Sequence, residues 1–303
     1  MNESQKYCRS LHAQISLGTT SDDRFMPDGY VEAFSNMEDH VLTEKLDGEN
    51  NCFTKHALFA RSHTAPTLSP WTKPLRERWE LLKRDLGNLE VFGEGMYGIH
   101  SIKYTKLESF FYMFAVRDRG VWLSWDEVKF YAAMYDFPTV PRIEIKVPLA
   151  GFYKPGVAEN KQLQEWLKLN LGMSWEESVE TGGMLGGIDP ETGKSCSEGF
   201  VIRNAKSFET NSGTLPVESN EFNNLMKLVR EKHVKTNEHW TKNWKPAELI
   251  DYSKYMWNGY EFVNKKKKEV LDFVGAEDIG KIVQYKGEKG VLVRRPSHLE
   301  EHI

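Results

Sequence analysis

The side chains best suited to chemistry lie in one short stretch, where a lysine stands among acidic residues: Thr43-Glu44-Lys45-Leu46-Asp47-Gly48-Glu49-Asn50-Asn51-Cys52-Phe53. Asp47-Gly48 is a turn dipeptide, and glycine lets the backbone come close to a ligand. Lys45 is a nucleophile only when deprotonated, and a reference pKa of about 10.4 leaves few neutral amines at pH 7. The neighbouring carboxylates stabilise the ammonium form, so a nucleophilic Lys45 requires divalent metal and other cations nearby. Without such partners the stretch is an ordinary surface β-turn.

A second candidate is the glycine run Gly93-Glu94-Gly95-Met96-Tyr97-Gly98, which has the spacing of a dinucleotide-binding fingerprint, with Asp118 20 residues beyond Gly98. That fingerprint needs a helix that opens at the third glycine, whereas a strand-like sequence begins at residue 110. Glu94 would also repel a pyrophosphate held by backbone amides. We therefore interpret Glu94 as an acid on a glycine-bracketed turn, suited to metal or ribose contact.

A third candidate, Gly193-Lys194-Ser195, has the last three residues of a P-loop. The motif requires its first glycine at the position of Ile188, while Gly187 leaves five intervening residues instead of four. No βαβ pattern surrounds the segment. It is interpreted as a hairpin connection.

The composition sets limits on the class of protein. The 303 residues are 40% apolar and 28% charged, as in ordinary globular proteins, and the net charge of −4 excludes a uniformly basic nucleic-acid coat. Cys8, Cys52 and Cys196 lack paired or metal-type spacing, which indicates a reducing compartment and no zinc site. The first residues lack the signal-peptide pattern, and no apolar run approaches membrane-spanning length. We therefore expect a cytoplasmic protein (host cytoplasm if viral) without membrane contact.

Hydrophobic periodicity and capping residues predict strands and helices around these motifs. Residues 41–61 are predicted as strand, turn and strand, and a helix is predicted from Pro74 to Leu86. Ser124-Trp125-Asp126-Glu127 is a capping box that opens another helix. Further predictions are strands over 89–92, 110–116, 140–147 and 197–204 and a helix over 162–171, whereas 222–235 is undecided between helix and strand.

Residues 236–303 alternate tryptophans with lysines and contain the run Lys265 to Lys268. Lysines supply salt-dependent attraction to phosphates, and aromatic rings stack on bases. The same composition is typical of a packed carboxy-terminal cap with a solvated lysine face. Both interpretations stay open from the sequence.

Taken in chain order, six stretches resemble the motifs of the covalent nucleotidyltransferase superfamily of RNA ligases, DNA ligases and mRNA capping enzymes. They are most similar to the RNA ligase 2-like group. The stretches are Glu44 to Gly48 (the nucleophile motif), Ala60 to Ser62, Phe92 to Gly95, Phe111 to Val116, Glu198 to Arg203 and the region around Lys227. Any one motif is weak, but six in this order, over about residues 40–235, favour a catalytic Lys45 over a surface turn.

The resemblance implies an ATP-dependent RNA ligase that works in three steps. Lys45 attacks the α-phosphate of ATP to give lysyl-AMP and pyrophosphate, and the AMP passes to a 5′-phosphate on RNA. A 3′-hydroxyl then attacks that activated end, releases AMP and seals the strand. The implied cofactors are ATP and Mg²⁺ or Mn²⁺, and the implied partner is RNA with 5′-phosphate and 3′-OH ends. A monomer with a role in RNA repair is expected. Phosphoryl transfer needs mainly positioning and charge neutralisation, which magnesium and lysine provide.

The resemblance also implies site residues. Phe114 would stack on adenine, Glu94 would contact the ribose, and Lys227 would neutralise the α-phosphate. The complete set is Glu44, Lys45, Arg61, Glu94, Phe114, Glu198 and Lys227 for the nucleotide, Asn50, Arg61 and Arg230 for RNA, and Glu94 and Glu198 for the metal. One position departs from the family pattern: the fifth motif usually has a second lysine two residues after the first, where this chain has Val229. Arg230 or Lys232 would have to take that role.

The implied fold is α+β, an ATP-grasp-like nucleotidyltransferase fold of antiparallel sheets flanked by helices, with a small C-terminal appendage. We expect an adenylyltransferase domain over 1–235 and a possible RNA-binding appendage over 236–303. About 70 residues after Lys227 are too few for the oligonucleotide-binding barrel of a DNA ligase, which favours an RNA ligase. An ATP-dependent DNA ligase or a guanylyltransferase is the alternative enzyme, and a non-catalytic strand-end binding module is the alternative of another class.

Overall fold

The computed structural model describes residues 6–7, 10–19, 23–27, 29–209, 224–231, 233, 240–251, 254–257, 262–264, 266, 281–285 and 288–292. Within this part of the chain it is a mixed α/β protein of antiparallel sheets with few helices, as the sequence predicted. The helices are α1 (Tyr30–Ser35), α2 (Lys73–Leu82), α3 (Trp125–Met134), α4 (Glu159–Leu171) and α5 (Trp175–Ser178). None of the helices in the described ranges is long and apolar enough to cross a membrane.

Most of the strands belong to two larger sheets. In chain order the strands are β1 (Leu11–His12), β2 (His40–Lys45), β3 (Glu49–Phe53), β4 (Leu58–Ala60), β5 (Leu89–Gly95), β6 (Lys103–Tyr104), β7 (Phe111–Asp118), β8 (Val121–Trp122), β9 (Arg142–Ile143), β10 (Gly187–Ile188), β11 (Gly199–Asn204), β12 (Phe208–Glu209), β13 (Leu225–Val229), β14 (Tyr255–Trp257), β15 (Phe262–Asn264), β16 (Lys281–Tyr285) and β17 (Glu288–Leu292). The larger sheets have the strand orders β1-β13-β11-β2-β9 and β12-β8-β7-β5-β3-β4. The remaining pairs are β6–β10, β14–β15 and β16–β17.

The five-stranded sheet brings distant parts of the chain together. β11 lies antiparallel to β2 and to β13, so that Gly199 stands opposite both Lys45 and Val229. β1 is the exception to the antiparallel pattern, because it pairs parallel with β13 and sets His12 opposite Lys227. A segment from the start of the chain therefore lies beside the strand that carries Lys227.

Alternation of side chains divides this sheet into an apolar face and a polar face. The apolar face forms one core with helices α1, α4 and α5, to which the strands contribute Leu42, Phe200, Ile202, Met226 and Leu228. Trp166 of α4 is fully buried in this core, a burial that contributes roughly 2–3 kcal/mol for a side chain of this size. The intervening positions, Lys45, Arg203 and Lys227 among them, point to the other face.

The six-stranded sheet packs on α2 and α3 around a second core. Ser124 forms the predicted capping box: its hydroxyl accepts the Glu127 N–H at 3.3 Å, and the Glu127 carboxylate accepts the Ser124 N–H at 2.9 Å. The helix predicted from Pro74 is α2, which begins one residue earlier, at Lys73. The register between β5 and β7 shifts at Phe92 and Gly93, so Phe114 stands on a bulge without a partner residue in β5.

Two local predictions are wrong, and one open assignment is now decided. The glycine-bracketed turn around Glu94 is strand, because β5 continues to Gly95, and a Cβ at Gly93 would collide with the ring of Phe111. The strand predicted over 140–147 is only Arg142–Ile143, the length over which it pairs with β2. Residues 222–235 contain the strand β13, whose alternation is obscure in the sequence because the strand is covered on both faces. The segment around Lys194 is the expected hairpin, closed by a bridge between Ile188 and Ser195.

Part of the carboxy-terminal region packs on the first domain. The Ala247 N–H donates to the Tyr97 carbonyl at 2.7 Å, and the Trp244 ring lies 5.7 Å from that of Tyr97. Residues 240–251 thus lie along the sheet domain, and the boundary expected between 235 and 236 stays a prediction. In the lysine run, Lys266 is exposed, whereas Lys265, Lys267 and Lys268 lie outside the described residues.

Candidate active site

A cavity of about 900 Å³ is lined by side chains of both larger sheets. The volume is in the range of small-molecule sites. The five-stranded sheet contributes Thr43, Lys45, Val201, Arg203, Leu225, Lys227 and Val229, and the six-stranded sheet contributes Asn50, Glu94 and Phe114. The predicted residues whose side chains share this cavity are Lys45, Asn50, Arg61, Glu94, Phe114, Glu198 and Lys227. Arg230 does not line it, and the side chain of Glu44 points to the opposite face of β2.

Lys45 is the last residue of β2 and points into the cavity. Its Nζ lies 2.6 Å from Oε1 of Glu198, the residue just before β11, because β2 and β11 pair with Lys45 opposite Gly199. Burial alone would lower the pKa of Lys45, but the charges of Glu198, Glu94 and Asp47 outweigh it and raise that pKa. The amine is an ammonium in this arrangement and requires added positive charge to become a nucleophile, as the sequence predicted.

The turn after Lys45 is fixed by hydrogen bonds at Asp47 and at Gly48. The Asp47 N–H donates to the Tyr104 hydroxyl at 2.9 Å, and the Asp47 carboxylate accepts the Ser101 N–H at 2.7 Å. The Gly48 N–H donates to Oε1 of Glu94 at 3.1 Å. Burial, together with nearby Glu198 and Asp47, raises the pKa of Glu94 to about 8, although Lys45 opposes the shift. Such a carboxyl is suited to a position beside a cation, which would favour its charged form.

A trio of potential metal ligands lies beside Lys45. Asp47, Glu198 and His233 each offer one ligand atom, and these atoms lie within 4.8 Å of one another. His233 Nε2 is 3.3 Å from Oδ1 of Asp47 and 3.4 Å from Oε1 of Glu198. Carboxylate oxygens suit Mg²⁺ and Mn²⁺, and the imidazole of His233 adds a nitrogen ligand of the kind that transition metals accept. These residues therefore fit a divalent cation. The trio contains the predicted ligand Glu198 but not the other predicted ligand, Glu94. Glu94 accepts the N–H of Gly48, next to Asp47, and its charge helps to raise the pKa of Lys45.

Lys227 lies on the cavity face of β13, and its side chain is largely buried. Its Nζ is 3.3 Å from Oδ1 of Asp23. Val229 occupies the same face two residues later and lines the cavity as an apolar side chain. Arg230 follows on the opposite side of the strand and does not line the cavity. Its backbone N–H donates to the Glu198 carbonyl at 2.9 Å, so Arg230 supports Glu198 through the main chain.

Phe114 enters the cavity from the bulge in β7. The Arg203 guanidinium donates to the Phe114 carbonyl at 3.1 Å and to the Leu123 carbonyl at 3.0 Å, which anchors the bulge to β11. Tyr7 packs edge-on against Phe114 with ring centroids 4.9 Å apart. The aromatic ring predicted to contact the base is thus held from two sides.

The other predicted residues differ in their surroundings. Arg61 follows β4 and is exposed at the cavity. Asn50 lines the cavity, and its buried Oδ1 has no hydrogen-bond partner among the described residues. Glu44 points to the opposite face of β2 from Lys45 and accepts the Met184 N–H at 2.9 Å. Burial raises the pKa of Glu44 to about 7, against the effect of that hydrogen bond.

Gly199 is a position where a side chain should disrupt the site. A Cβ there would collide with the Leu228 carbonyl of β13, and φ is +155°. We expect Gly199→Ala to lower the free energy of unfolding by roughly 3 kcal/mol or more, since rigid backbone must move. Gly193→Ala is the matched control: φ is +70° but nothing lies within 4 Å, so a cost of about 1–2 kcal/mol is expected. Urea denaturation of both variants measures the difference, and equal losses would contradict the prediction.

Several cavity residues were not predicted from the sequence. His12 and Asp23 lie in the mixed polar segment 1–40, which contains no motif. His233 lies in the cationic stretch 222–235, where its spacing to other ligands gives no metal pattern. Arg203 is part of the fourth motif, but its buried contacts depend on the bulge in β7.

Comparison with family models identifies the class of protein that this cavity and fold define. The model of the RNA ligase family matches residues 38–229, which contain Lys45, Glu94, Glu198 and Lys227. The chain belongs to the RNA ligase family. Comparison with curated proteins gave no match.

Several solved structures are similar to parts of the chain. An archaeal ATP-dependent RNA ligase is 13% identical with a TM-score of 0.39, and the match covers 75% of this chain and 48% of that one. An Aquifex aeolicus protein assigned as an ATP-dependent DNA ligase is 15% identical with a TM-score of 0.38, and the match covers 74% of this chain and 50% of that one. A lysine-to-alanine mutant of Naegleria gruberi RNA ligase with ATP and Mn is 16% identical with a TM-score of 0.34, and the match covers 67% of this chain and 59% of that one. The chain thus spans about half the length of the first two proteins.

Proposed function

We propose that this protein is an ATP-dependent RNA ligase that joins 3′-OH and 5′-phosphate RNA ends. The observation that carries the proposal is the position of Lys45, whose amine lies 2.6 Å from Glu198 in a cavity shared with Glu94 and Lys227. Membership of the RNA ligase family supports it. We assign the reaction to RNA repair in the cytoplasm by a monomer.

In the proposed first step the Lys45 amine attacks the α-phosphate of ATP. A bond forms between the α-phosphorus and Nζ of Lys45. The bond between the α-phosphorus and the oxygen that bridges to the β-phosphate breaks, and pyrophosphate leaves. Lys227 is the nearby cation that would neutralise charge on the α-phosphate, and Phe114 offers a ring face to adenine. Glu94 would contact the ribose.

The amine must lose its proton before it attacks. Glu198, Asp47 and His233 would hold Mg²⁺ or Mn²⁺, with Glu94 nearby. When bound, the cation supplies positive charge that offsets the acids and neutralises developing phosphate charge. The burial of Lys45 then assists the attack, because desolvation lowers the pKa of Lys45 and favours the neutral amine.

In the second and third steps AMP moves to the RNA 5′-phosphate, and the 3′-hydroxyl then displaces it. Arg61 is exposed at the cavity, and the buried Oδ1 of Asn50 has no hydrogen-bond partner among the described residues, which supports a contact of both with RNA ends or phosphates. Arg230 lies outside the cavity, and we assign it only a contact with RNA beyond the nucleotide site.

The proposal is tested by comparing ATP with GTP as the labelled nucleotide, and RNA with DNA as the strand to be sealed. Protein incubated with α-labelled ATP or GTP and resolved on a denaturing gel should carry label from ATP only, since a guanylyltransferase would take GTP. A sealing assay should then join nicked RNA duplex or single-stranded RNA faster than nicked DNA duplex. Faster sealing of DNA would favour the DNA ligase alternative. A protein that binds RNA ends but takes no label would be the non-catalytic module.

The lysine run provides a prediction that separates the two chemical stages. Lys265, Lys266, Lys267 and Lys268 changed together to alanine should leave AMP transfer to the protein unchanged, because Lys266, the one described member, does not line the cavity. If the run binds RNA, sealing should slow and its salt dependence should become shallower, by up to about 0.9 in log–log slope for each phosphate that the variant no longer binds. Rates of both stages are measured between about 50 and 200 mM salt. Sealing that keeps its rate and slope would make the run a solubilising face.

A further inference from the structure

Lys227 is held by a segment that precedes the region matched by the family model. Its Nζ lies 3.3 Å from Oδ1 of Asp23, and the same oxygen lies 3.1 Å from Nε2 of His12. His12, Asp23 and Lys227 all line the cavity. The match to the RNA ligase family begins at residue 38, so these partners of Lys227 come from outside it.

The contacts continue from His12 into the sheet. His12 Nδ1 is 2.8 Å from the Ser16 hydroxyl, which accepts the Val229 N–H at 2.9 Å. Strand β1 runs parallel to β13 with His12 opposite Lys227, which fixes the height of His12 along the cavity. Ser16 and His12 are both buried. The segment is therefore anchored at Val229, the position where the family pattern has its second lysine.

The His12 ring lies between the Ser16 hydroxyl and the Asp23 carboxylate. The Ser16 hydroxyl accepts the Val229 N–H at 2.9 Å, donates to the Val229 carbonyl at 3.5 Å and lies 2.8 Å from Nδ1 of His12. Nε2 of His12 is 3.1 Å from Oδ1 of Asp23, so the ring lies directly beside the carboxylate that contacts Lys227. Burial, and next the charge of Lys227, lowers the pKa of His12 to about 4, so the ring is neutral at pH 7. A neutral His12 orients Asp23 without competing with Lys227 for negative charge.

We propose that Asp23, oriented by His12 and Ser16, is a positioning residue that holds the single Lys227 ammonium in the cavity for the α-phosphate of ATP. The proposal rests on the proposed function and adds a role for the amino-terminal segment. A long lysine side chain loses rotamer freedom when it is fixed, and a fixed carboxylate removes part of that freedom before the nucleotide arrives. The ammonium has three donors, so one directed at Asp23 leaves two for phosphate oxygens.

Asp23 also preserves the charge of Lys227. Burial lowers the pKa of Lys227, with the charge of Lys45 acting in the same direction, and Asp23 opposes both effects. Because Val229 supplies no second cation, the loss of charge or position at Lys227 has no substitute on this strand. Asp23 thus supports the residue on which phosphate neutralisation depends.

The experiment is a double-mutant cycle on AMP transfer from ATP to Lys45. Asp23→Asn keeps the shape of the side chain and removes its charge, and Lys227→Met removes the cation. Protein is first treated with pyrophosphate to reverse existing adenylylation, and single-turnover rates are measured at saturating ATP. We expect Asp23→Asn to be about tenfold slower than wild type. In the Lys227→Met background the same change should alter the rate less than about twofold, because no ammonium remains to be positioned.

The matched control is Asp39→Asn, which breaks an exposed contact of 3.8 Å with Lys206 and lies away from the cavity. It should keep the wild-type rate. An Asp23→Asn variant as fast as wild type, or faster, would overturn the inference, and so would an equal slowing in both backgrounds, which indicates a structural effect. Nitrogen-15 NMR of wild type should show His12 as a neutral imidazole at pH 7, and an imidazolium would contradict its place in this arrangement. Wild-type protein without label would refute the proposed function itself.

Discussion

Lys45→Ala and Lys45→Arg should both abolish AMP transfer from ATP to the protein, with a fall of at least about 10³-fold in rate. Alanine has no amine. Arginine keeps the charge beside Glu198 but cannot lose its proton, so it cannot attack phosphorus. The pair of variants therefore separates the charge of Lys45 from its nucleophilicity. Protein incubated with α-labelled ATP and resolved on a denaturing gel gives the measurement.

The control for these variants is Lys194→Ala. Lys194 is an exposed lysine on the β-hairpin that has the last residues of a P-loop, and it does not line the cavity. We expect it to label at the wild-type rate. Label retained on either Lys45 variant would mean that another lysine carries the chemistry, and loss of label in Lys194→Ala would show that the P-loop interpretation was rejected wrongly.

Glu198→Gln should slow AMP transfer by about 10² to 10⁴, the cost of several kcal/mol of transition-state stabilisation. Glutamine keeps the shape of a buried side chain but lacks the charge that contacts Lys45 at 2.6 Å and that completes the trio with Asp47 and His233. Rates are measured across a magnesium titration. Part of the loss should appear as a higher magnesium concentration for half-maximal rate, because one charged oxygen ligand is missing.

Glu90→Gln is a control with a similarly short ion pair. Glu90 contacts Arg117 Nε at 2.6 Å, and neither residue lines the cavity. The variant should lose some thermal stability but transfer AMP at close to the wild-type rate when folded. Wild-type rates for Glu198→Gln across the whole magnesium range would be incompatible with a metal role for Glu198.

Four of the predicted site residues line one cavity, and their prediction came from the order of six short motifs that resemble those of one family; their roles stay a prediction. The order of the motifs brings Lys45, Glu94, Glu198 and Lys227 to one cavity, and the turn chemistry of Asp47-Gly48 appears as the connection between β2 and β3. The capping box at Ser124 was also predicted correctly, since it needs only residues three positions apart. Patterns of this kind do not depend on the rest of the fold.

The parts that were missed depend on contacts between distant residues. His12 and Asp23 reach Lys227 only because β1 pairs parallel with β13, and no local pattern in residues 1–40 indicates that pairing. β13 was undecided because it is covered on both faces and loses the alternation of a half-exposed strand. Gly93 and Gly95 were assigned to a turn on their usual preference, whereas here crowding by neighbouring rings and side chains requires glycine within a strand.

The pairing of β1 with β13 also has a consequence for the folding of the chain during its synthesis. Ser16 and Val229 are 213 positions apart in the chain, yet they share a hydrogen bond at the edge of the sheet. A ribosome adding about 5–20 residues per second needs roughly 10–40 s to cover that distance. During this interval β1 has only its bridge with Phe25, and the sheet that carries Lys45 lacks β13. The cavity that contains Lys45 and Lys227 is therefore complete only after β13 has been synthesised, and such long-range pairing is expected to make folding slow.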